Sequence, residues 1–238
     1  MIKQVDFAFL QNAQEIPQNV FTTRIFANAL AYEGVDFCRT YVLEHEGEIL
    51  GAINLLGESA CVWVSESSGE DLLTETEQFL VFFGANFVFT NCKAIVKSEL
   101  QQGKVLLKTA LKKDSVSAQA YPDYKKAYEI LCESFDMPDY LDFLSDLSHR
   151  VPKGLATVSL FDNAVGITNW HYRDACVISA IAVKDECRHT GVGTDVIRSI
   201  IETAKCEKIF VYTQQQTVPF YIKNGFEIIG NYYAGKVE

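Results

Sequence analysis

The tetrapeptide FVFT, Phe87–Thr90, returns as FVYT at Phe210–Thr213, 123 positions further on. Segments of the same kinds surround both copies in the same order. Upstream, LEHEGEILGAINLL (Leu43–Leu56) echoes SLFDNAVGITNW (Ser159–Trp170), each reading as strand, tight turn, strand, with Gly51 and Gly166 in matching places. Downstream, each copy leads into a short helix-like segment ending at a glycine, Gly103 or Gly225, and then a strand-like run, KVLLKTA or FEIIGNYY. Four matches in one order constrain the fold more than any single motif, because they mean that one supersecondary pattern is used twice. A chain of 238 residues is comfortable as two domains of the usual size. The sequence therefore reads as two tandem copies, residues 1–114 and 115–238, parted at the polar LKKDSVS, Leu111–Ser117.

The second copy is the clearer one. Pro122 opens a segment with Tyr124, Ala127, Tyr128, Leu131 and Phe135 on one helical face, and Pro138 opens another with Leu141, Leu144 and Leu147. Strands are expected near 155–161, 164–172 and 176–183, the third apolar at nearly every position, as a strand buried on both faces should be. A helix from about 191 puts Val192, Val196, Ile197, Ile200, Ile201 and Ala204 on one stripe. KIFVYT, VPFYIKN and FEIIGNYY then read as strand, short helix and strand. Alternation of this kind predicts the α/β class, a mixed twisted sheet flanked by helices.

The copies part company at one junction. Between the third strand and its helix the second copy has KDECRHTGVGT; the first has SESSGED, with no arginine. A helix leaves its first four N–H groups unpaired, and its dipole adds positive character there. Glycine lets the backbone approach a ligand, so a Gly-x-Gly turn at a helix start makes an anion cradle, with phosphate the usual occupant. Arg188 adds a permanent charge able to grip two oxygens, and Thr190 and Thr194 add hydroxyls. A dinucleotide fingerprint would need glycine at 196, which is Val196, and no lysine follows either glycine as a nucleotide-hydrolase loop requires. The cradle is expected in the second copy and not in the first.

Composition narrows the rest. A net charge of −10 argues against a protein that grips nucleic acid, and it suits a basic substrate. Seven scattered cysteines with no C-x-x-C pair fit neither a disulfide framework nor a structural zinc site and suit a reducing, cytoplasmic setting. The opening MIKQVDFAFLQNAQE carries Asp6 and glutamines where a signal peptide needs an apolar core, and FLVFFGANFVF is too short to span a bilayer. No membrane partner is expected. His45 and His149 have no ligand-spaced partner, so no metal is expected either.

Arg188-His-Thr-Gly-Val-Gly193 directly after a strand resembles the acetyl-CoA pyrophosphate loop of the GNAT superfamily of acyl-CoA-dependent N-acyltransferases, Gln/Arg-x-x-Gly-x-Gly/Ala. PFYIKNGF, 219–226, resembles the late motif of that family, and the order of elements over roughly 120–235 matches as well. The resemblance implies transfer of an acetyl group from acetyl-CoA to an amine in a ternary complex. It implies that Arg188, His189, Thr190, Gly191, Val192, Gly193 and Thr194 hold the pyrophosphate, and that main-chain groups of Ile181, Ala182 and Val183 hold the pantetheine arm. It makes Tyr221, four residues before Gly225, the acid that protonates the leaving thiolate. The first half becomes a degenerate GNAT-like copy without a cofactor loop.

Where the family usually shows an asparagine after its fifth strand, this chain has Gln214, Gln215 and Gln216, one methylene longer. No general base stands out among Thr168, Ser179, Glu133, Asp136, His171 and Asp174. That absence keeps a second reading open, a protein that binds acyl-CoA without turnover. The acceptor amine and the oligomeric state are not written in the letters.

Overall fold

The computed structural model describes residues 1–111 and 122–237; the expected parting at 114/115 lies outside the described residues. In chain order the elements are β1 (Ile2–Val5), α1 (Phe7–Asn12), α2 (Val20–Ala31), β2 (Cys38–His45), β3 (Glu48–Leu56), β4 (Ser59–Val64), α3 (Glu70–Phe82), β5 (Phe87–Thr90) and β6 (Ser98–Thr109). They are followed by α4 (Tyr124–Cys132), α5 (Tyr140–Arg150), β7 (Thr157–Leu160), β8 (Ala164–Tyr172), β9 (Ala175–Val183), α6 (Val192–Thr203), β10 (Lys208–Thr213), α7 (Val218–Lys223) and β11 (Glu227–Lys236). Two compact units emerge. The first comprises Met1–Val105, Tyr212–Gln216 and Ile228–Glu238; the second comprises Leu106–Val211 and Thr217–Glu227.

In the first unit the strands run β1-β2-β3-β4-β5-β11-β6. Neighbours from β1 to β4 pair antiparallel, and the β2–β3 hairpin turns through Glu46 and Gly47, both at positive φ, as a two-residue turn that matches strand twist requires. β4 and β5 pair parallel, which needs a crossover, and α3 supplies it. β11 then lies antiparallel to β5, Tyr233 opposite Thr90. The core packs Tyr41, Leu43, Ile53, Val62, Leu80, Val88 and Ile95 together. The helix expected before Gly103 is a single 3₁₀ turn, Lys93–Ile95, and Gly103 sits inside β6. Its lack of a side chain is needed there, because a Cβ would collide with the carbonyl of Thr213 and the ring of Tyr232.

In the second unit β10-β9-β8-β7 form the sheet, with β7–β8 and β8–β9 antiparallel and β9–β10 parallel. α6 and α7 cover one face, where Ile178, Val196, Ile197, Ile200, Ile209 and Phe226 meet. α6 comes down close over β8 because position 166 is glycine: a Cβ there would stand 2.7 Å from Val196 and 2.9 Å from Ile200. α4 and α5 cover the other face, joining Ile130, Leu131, Phe143 and Leu147 to Val158, Val165 and Ile167. Both prolines stand one residue before the caps rather than inside the helices. Asp123 caps α4 by accepting from the Lys126 N–H at 3.0 Å, and Asp139 precedes α5. The face of α5 also differs from expectation, with Phe143, Leu147 and Arg150 buried and Leu141 77% exposed. Arg150 explains the rotation: its guanidinium is buried beside the Trp170 ring, 5.8 Å from its centroid, and pairs with Asp146 at 2.8 Å.

One irregularity in β9 decides where the two faces of the sheet exchange. The register with β8 slips between Ile167/Ala180 and Thr168/Ile178, leaving Ser179 as an extra residue, a β-bulge. Before it Cys176 and Ile178 face α6; after it Ile181 and Val183 do, while Ala180 and Ala182 face α4 and α5. A one-residue insertion reverses which side chains point to which face.

Candidate active site

The bulge coincides with a parting of strands. Parallel pairing of β9 with β10 runs from Ala175↔Lys208 to Ile178↔Val211, whereas antiparallel pairing with β8 continues to Val183↔Ala164. Ile181, Ala182 and Val183 are thus held from one side by β8, and the register with β10 has ended before them. Main-chain groups on that edge are the feature a slender amide-bearing arm would need.

After Val183 comes a 3₁₀ turn, Asp185–Cys187, then Arg188 in extended conformation, His189 at φ 63°, and Gly191 at φ 99° as the N-cap of α6. Two left-handed residues so close together swing the chain round within three positions, and Gly191 adopts its angle without the Cβ penalty. Thr194 and Asp195 both donate to the Gly191 carbonyl, at 2.9 and 3.2 Å. The N–H groups of Val192 and Gly193, in the first turn, have no carbonyl within the helix to meet. Gly193 is seated against the end of β9 and against α7: a Cβ would lie 3.3 Å from Phe220 Cζ and 3.7 Å from Val183 Cγ2.

Arg188 is placed differently from a side chain reaching for an anion. Its Nη2 donates to the Glu133 carbonyl at 3.2 Å and to Ser134 Oγ at 3.1 Å, its Nε to the Val183 carbonyl at 3.3 Å, and Asp185 pairs with it at 2.6 Å. It stitches the turn to the end of β9 and the end of α4, and the Asp185 N–H donates to Glu133 Oε2 at 3.2 Å along the same seam. Thr190 Oγ1 donates to the Cys187 carbonyl at 2.6 Å, tightening the turn from within.

Tyr221, on α7, is 8% exposed and lies edge-on to Phe220 and Phe226, ring centroids 5.2 and 5.5 Å apart. Burial pushes its phenol up to about 12. A thiolate has an ordinary pKa of ~8.5, so such a phenol donates a hydrogen bond to it well before it surrenders a proton. Val183, Arg188, Gly193, Phe220 and Tyr221 therefore form one connected neighbourhood within the second unit.

Of the residues weighed as bases, Glu133 is engaged in the loop seam. Ser179 Oγ donates to the Ile167 carbonyl at 3.3 Å, and His171 Nε2 lies 2.9 Å from Thr168 Oγ1. Burial drives the His171 pKa down to about 4, because the imidazolium would lose its water. The sign of the effect on stability follows. Below an unfolded value of ~6.5 the unfolded chain takes a proton that the folded chain refuses, so stability is lost as pH falls, by about 2 kcal/mol at pH 5. Urea titrations at pH 7.5 and pH 5 are expected to show a steeper drop for the wild type than for His171→Gln by that amount; parallel drops would mean the ring is not shielded.

The sequence reading did not find a cavity of about 360 Å³ between α4, α5 and strands β8 and β9, with Ser179 and Ala180 in its wall. Asp142 and Asp146, one helical turn apart on α5, line it with Asn169. Their i,i+4 spacing was legible; that they line a cavity depends on which face α5 buries, Phe143, Leu147 and Arg150.

Against known proteins, residues 155–228 match the family model described as acetyltransferase (GNAT) domain. Residues 155–228 form a GNAT domain. No curated protein sequence gives a significant match. Among solved structures, a GCN5-related N-acetyltransferase from Sphaerobacter thermophilus is similar over 100% of this chain and 96% of its own, at TM-score 0.61 and 11% identity. A tandem GNAT protein from the clavulanic acid biosynthesis pathway is similar over 100% and 98%, at TM-score 0.53 and 11% identity. An acetyltransferase from the GNAT family from Colwellia psychrerythraea is similar over 100% of both chains, at TM-score 0.54 and 8% identity. At such identities the likeness is one of fold, and it extends over the first unit as well as the GNAT domain.

The first unit handles the corresponding junction in another way. Just past β5, Asn91 bridges back to β4: its Nδ2 donates to the Val64 carbonyl at 2.7 Å and its Oδ1 accepts from the Val64 N–H at 3.0 Å. The side-chain amide occupies both main-chain groups of the last β4 residue. α3 then begins after Gly69 with Glu70 and Asp71 in its first turn, which repel an anion. Among the described residues no group of three or more His, Cys, Asp or Glu could hold a metal ion, and no helix is long and apolar enough to cross a membrane.

Proposed function

We propose that the second unit is an acyl-CoA-dependent N-acyltransferase that moves an acetyl group from acetyl-CoA to an amine. The observation that carries this reading is that β9–β10 pairing ends at Ile178 while β9 runs on to Val183 and into the turn whose Gly191 opens α6. The diphosphate of the substrate would rest on the main-chain donors of 188–194, with the Val192 and Gly193 N–H groups foremost. The pantetheine arm would lie along Ile181–Val183, beyond the end of β9–β10 pairing. The amine gives up its ammonium proton to water and its nitrogen attacks the thioester carbonyl; the C–N bond forms, the C–S bond breaks, the sulfur leaves as thiolate and the nitrogen sheds its remaining excess proton to water. A β9 main-chain N–H beside the carbonyl would steady the developing oxyanion, and holding both substrates together supplies much of the remaining acceleration. Tyr221 would donate to the departing thiolate. Arg188 acts as the brace that keeps the turn in place. The first unit takes no coenzyme, because Asn91 closes its strand gap and acidic residues open α3.

The burial of Tyr221 favours one alternative, a protein that binds acyl-CoA without turning it over. Two measurements separate the readings. Coenzyme A is expected to raise the melting temperature of the protein, and free thiol should appear when acetyl-CoA is supplied with an amine panel. Stabilisation without thiol release would leave binding alone, and no stabilisation would overturn both.

A further inference from the structure

The cavity beside β9 has a chemistry that specifies its occupant more closely than "an amine". Its deep wall is apolar: Phe143, Leu147 and Ile167 are 7%, 4% and 5% exposed, and Leu131 is fully buried. Its rim is apolar too, since Phe135, which lines it, is 42% exposed. Its charges are of one sign, Asp142 and Asp146, and among the described residues that line it there is no lysine, arginine or histidine. Asp146 already shares its charge with the buried Arg150 at 2.8 Å, which leaves Asp142, exposed on the first turn of α5, as the carboxylate for an incoming cation. Ser179 and Ala180, in the same cavity, lie on β9 at the point where pairing with β10 has ended.

We infer that the acceptor is a primary amine carried on an apolar body, aromatic or branched aliphatic, with no carboxylate of its own; the inference rests on the acyltransferase reading above. A volume of about 360 Å³ suits a one-ring or two-ring body, since an engineered cavity of ~150 Å³ takes benzene. Asp142 draws the ammonium in, and the apolar wall holds the carbon skeleton. A polyamine would have to bury a second ammonium against Phe143 and Leu147, where no partner compensates its lost water. A free amino acid would bring a carboxylate to a cavity whose exposed charge, Asp142, repels it.

The test pairs molecules that differ in one group. With acetyl-CoA, 2-phenylethylamine and 3-methylbutylamine are expected to release thiol with kcat/KM at least tenfold above phenylalanine and spermidine. Asp142→Asn and Phe135→Ala should each raise KM for 2-phenylethylamine by about tenfold, the size of one charge-assisted hydrogen bond or one apolar contact. Both positions are exposed, so coenzyme A should stabilise both variants as it does the wild type. A preference for spermidine or phenylalanine overturns the inference, as does failure of the apolar amines to bind or react while coenzyme A still stabilises the protein. In either case the acyltransferase reading survives as long as some other amine in the panel releases thiol; if none does, only binding is left. Absence of coenzyme A stabilisation sinks that reading and this one together.

Discussion

Gly193→Asp is expected to weaken coenzyme A binding at least a hundredfold while the second unit stays folded. The fold should tolerate the change for two reasons. A Cβ at 193 would meet only the tip of the Phe220 ring at 3.3 Å and a Val183 methyl at 3.7 Å, and a shift of a few tenths of an ångström relieves the closer contact. A carboxylate in the first turn of a helix is otherwise favourable, by roughly 0.3–1 kcal/mol. Binding should not tolerate it. A negative charge some 4 Å from a phosphate costs about 4 kcal/mol at an effective dielectric of 20, more than the ~2.7 kcal/mol that a hundredfold represents. Gly193→Ala, which adds the Cβ without the charge, should bind within a few-fold of the wild type. Calorimetric titration of both variants decides the matter: if the aspartate variant binds normally, the anion rests elsewhere.

Tyr221→Phe is expected to leave coenzyme A binding intact and to lower the rate of thiol release by about a hundredfold, the size of one hydrogen-bond donor removed from a charge that develops in the transition state. Only a hydroxyl is removed, so the edge-on contacts with Phe220 and Phe226 survive and the melting temperature should change little. The wild-type pH profile carries a second check. Burial raises the phenol to about 12, so Tyr221 remains protonated as pH rises through 8 to 10 and cannot itself produce a falling limb there. A limb in that range that Tyr221→Phe abolishes would show the phenol to be far less shielded than its packing implies. An unchanged rate in the variant would remove Tyr221 from the chemistry.

Local chemistry was the legible part of this chain. The turn at 188–193 announced itself because glycine, a strand before it and an amphipathic helix after it are all read over a few residues, and the structure sets Gly191 at φ 99° where only a glycine is at ease. The class of fold was legible for the same reason, since strand and helix periods alternate along the second half. What depended on distant partners was not. VISAIAV looks like one uninterrupted buried strand, yet the extra residue at Ser179 exchanges its faces midway, and a run apolar at nearly every position has no alternation to signal that. Leu141, Leu144 and Leu147 make a plausible stripe, but a buried Arg150 held by Asp146 and Trp170 turns α5 so that Leu141 faces water. Asn91 and Gln214 occupy equivalent places after FVFT and FVYT. That the first is a bridge to Val64 is visible only once β4 lies beside it.

β11 fills the place between β5 and β6 in the first unit, although it follows the whole of the second unit along the chain. A ribosome making this protein therefore exposes Phe87–Thr90 as an unfinished edge for roughly ten seconds at usual elongation rates before the strand that covers it emerges. Vectorial synthesis, which lets many tandem proteins complete one module at a time, works against this one: its leading module is the last to be sealed.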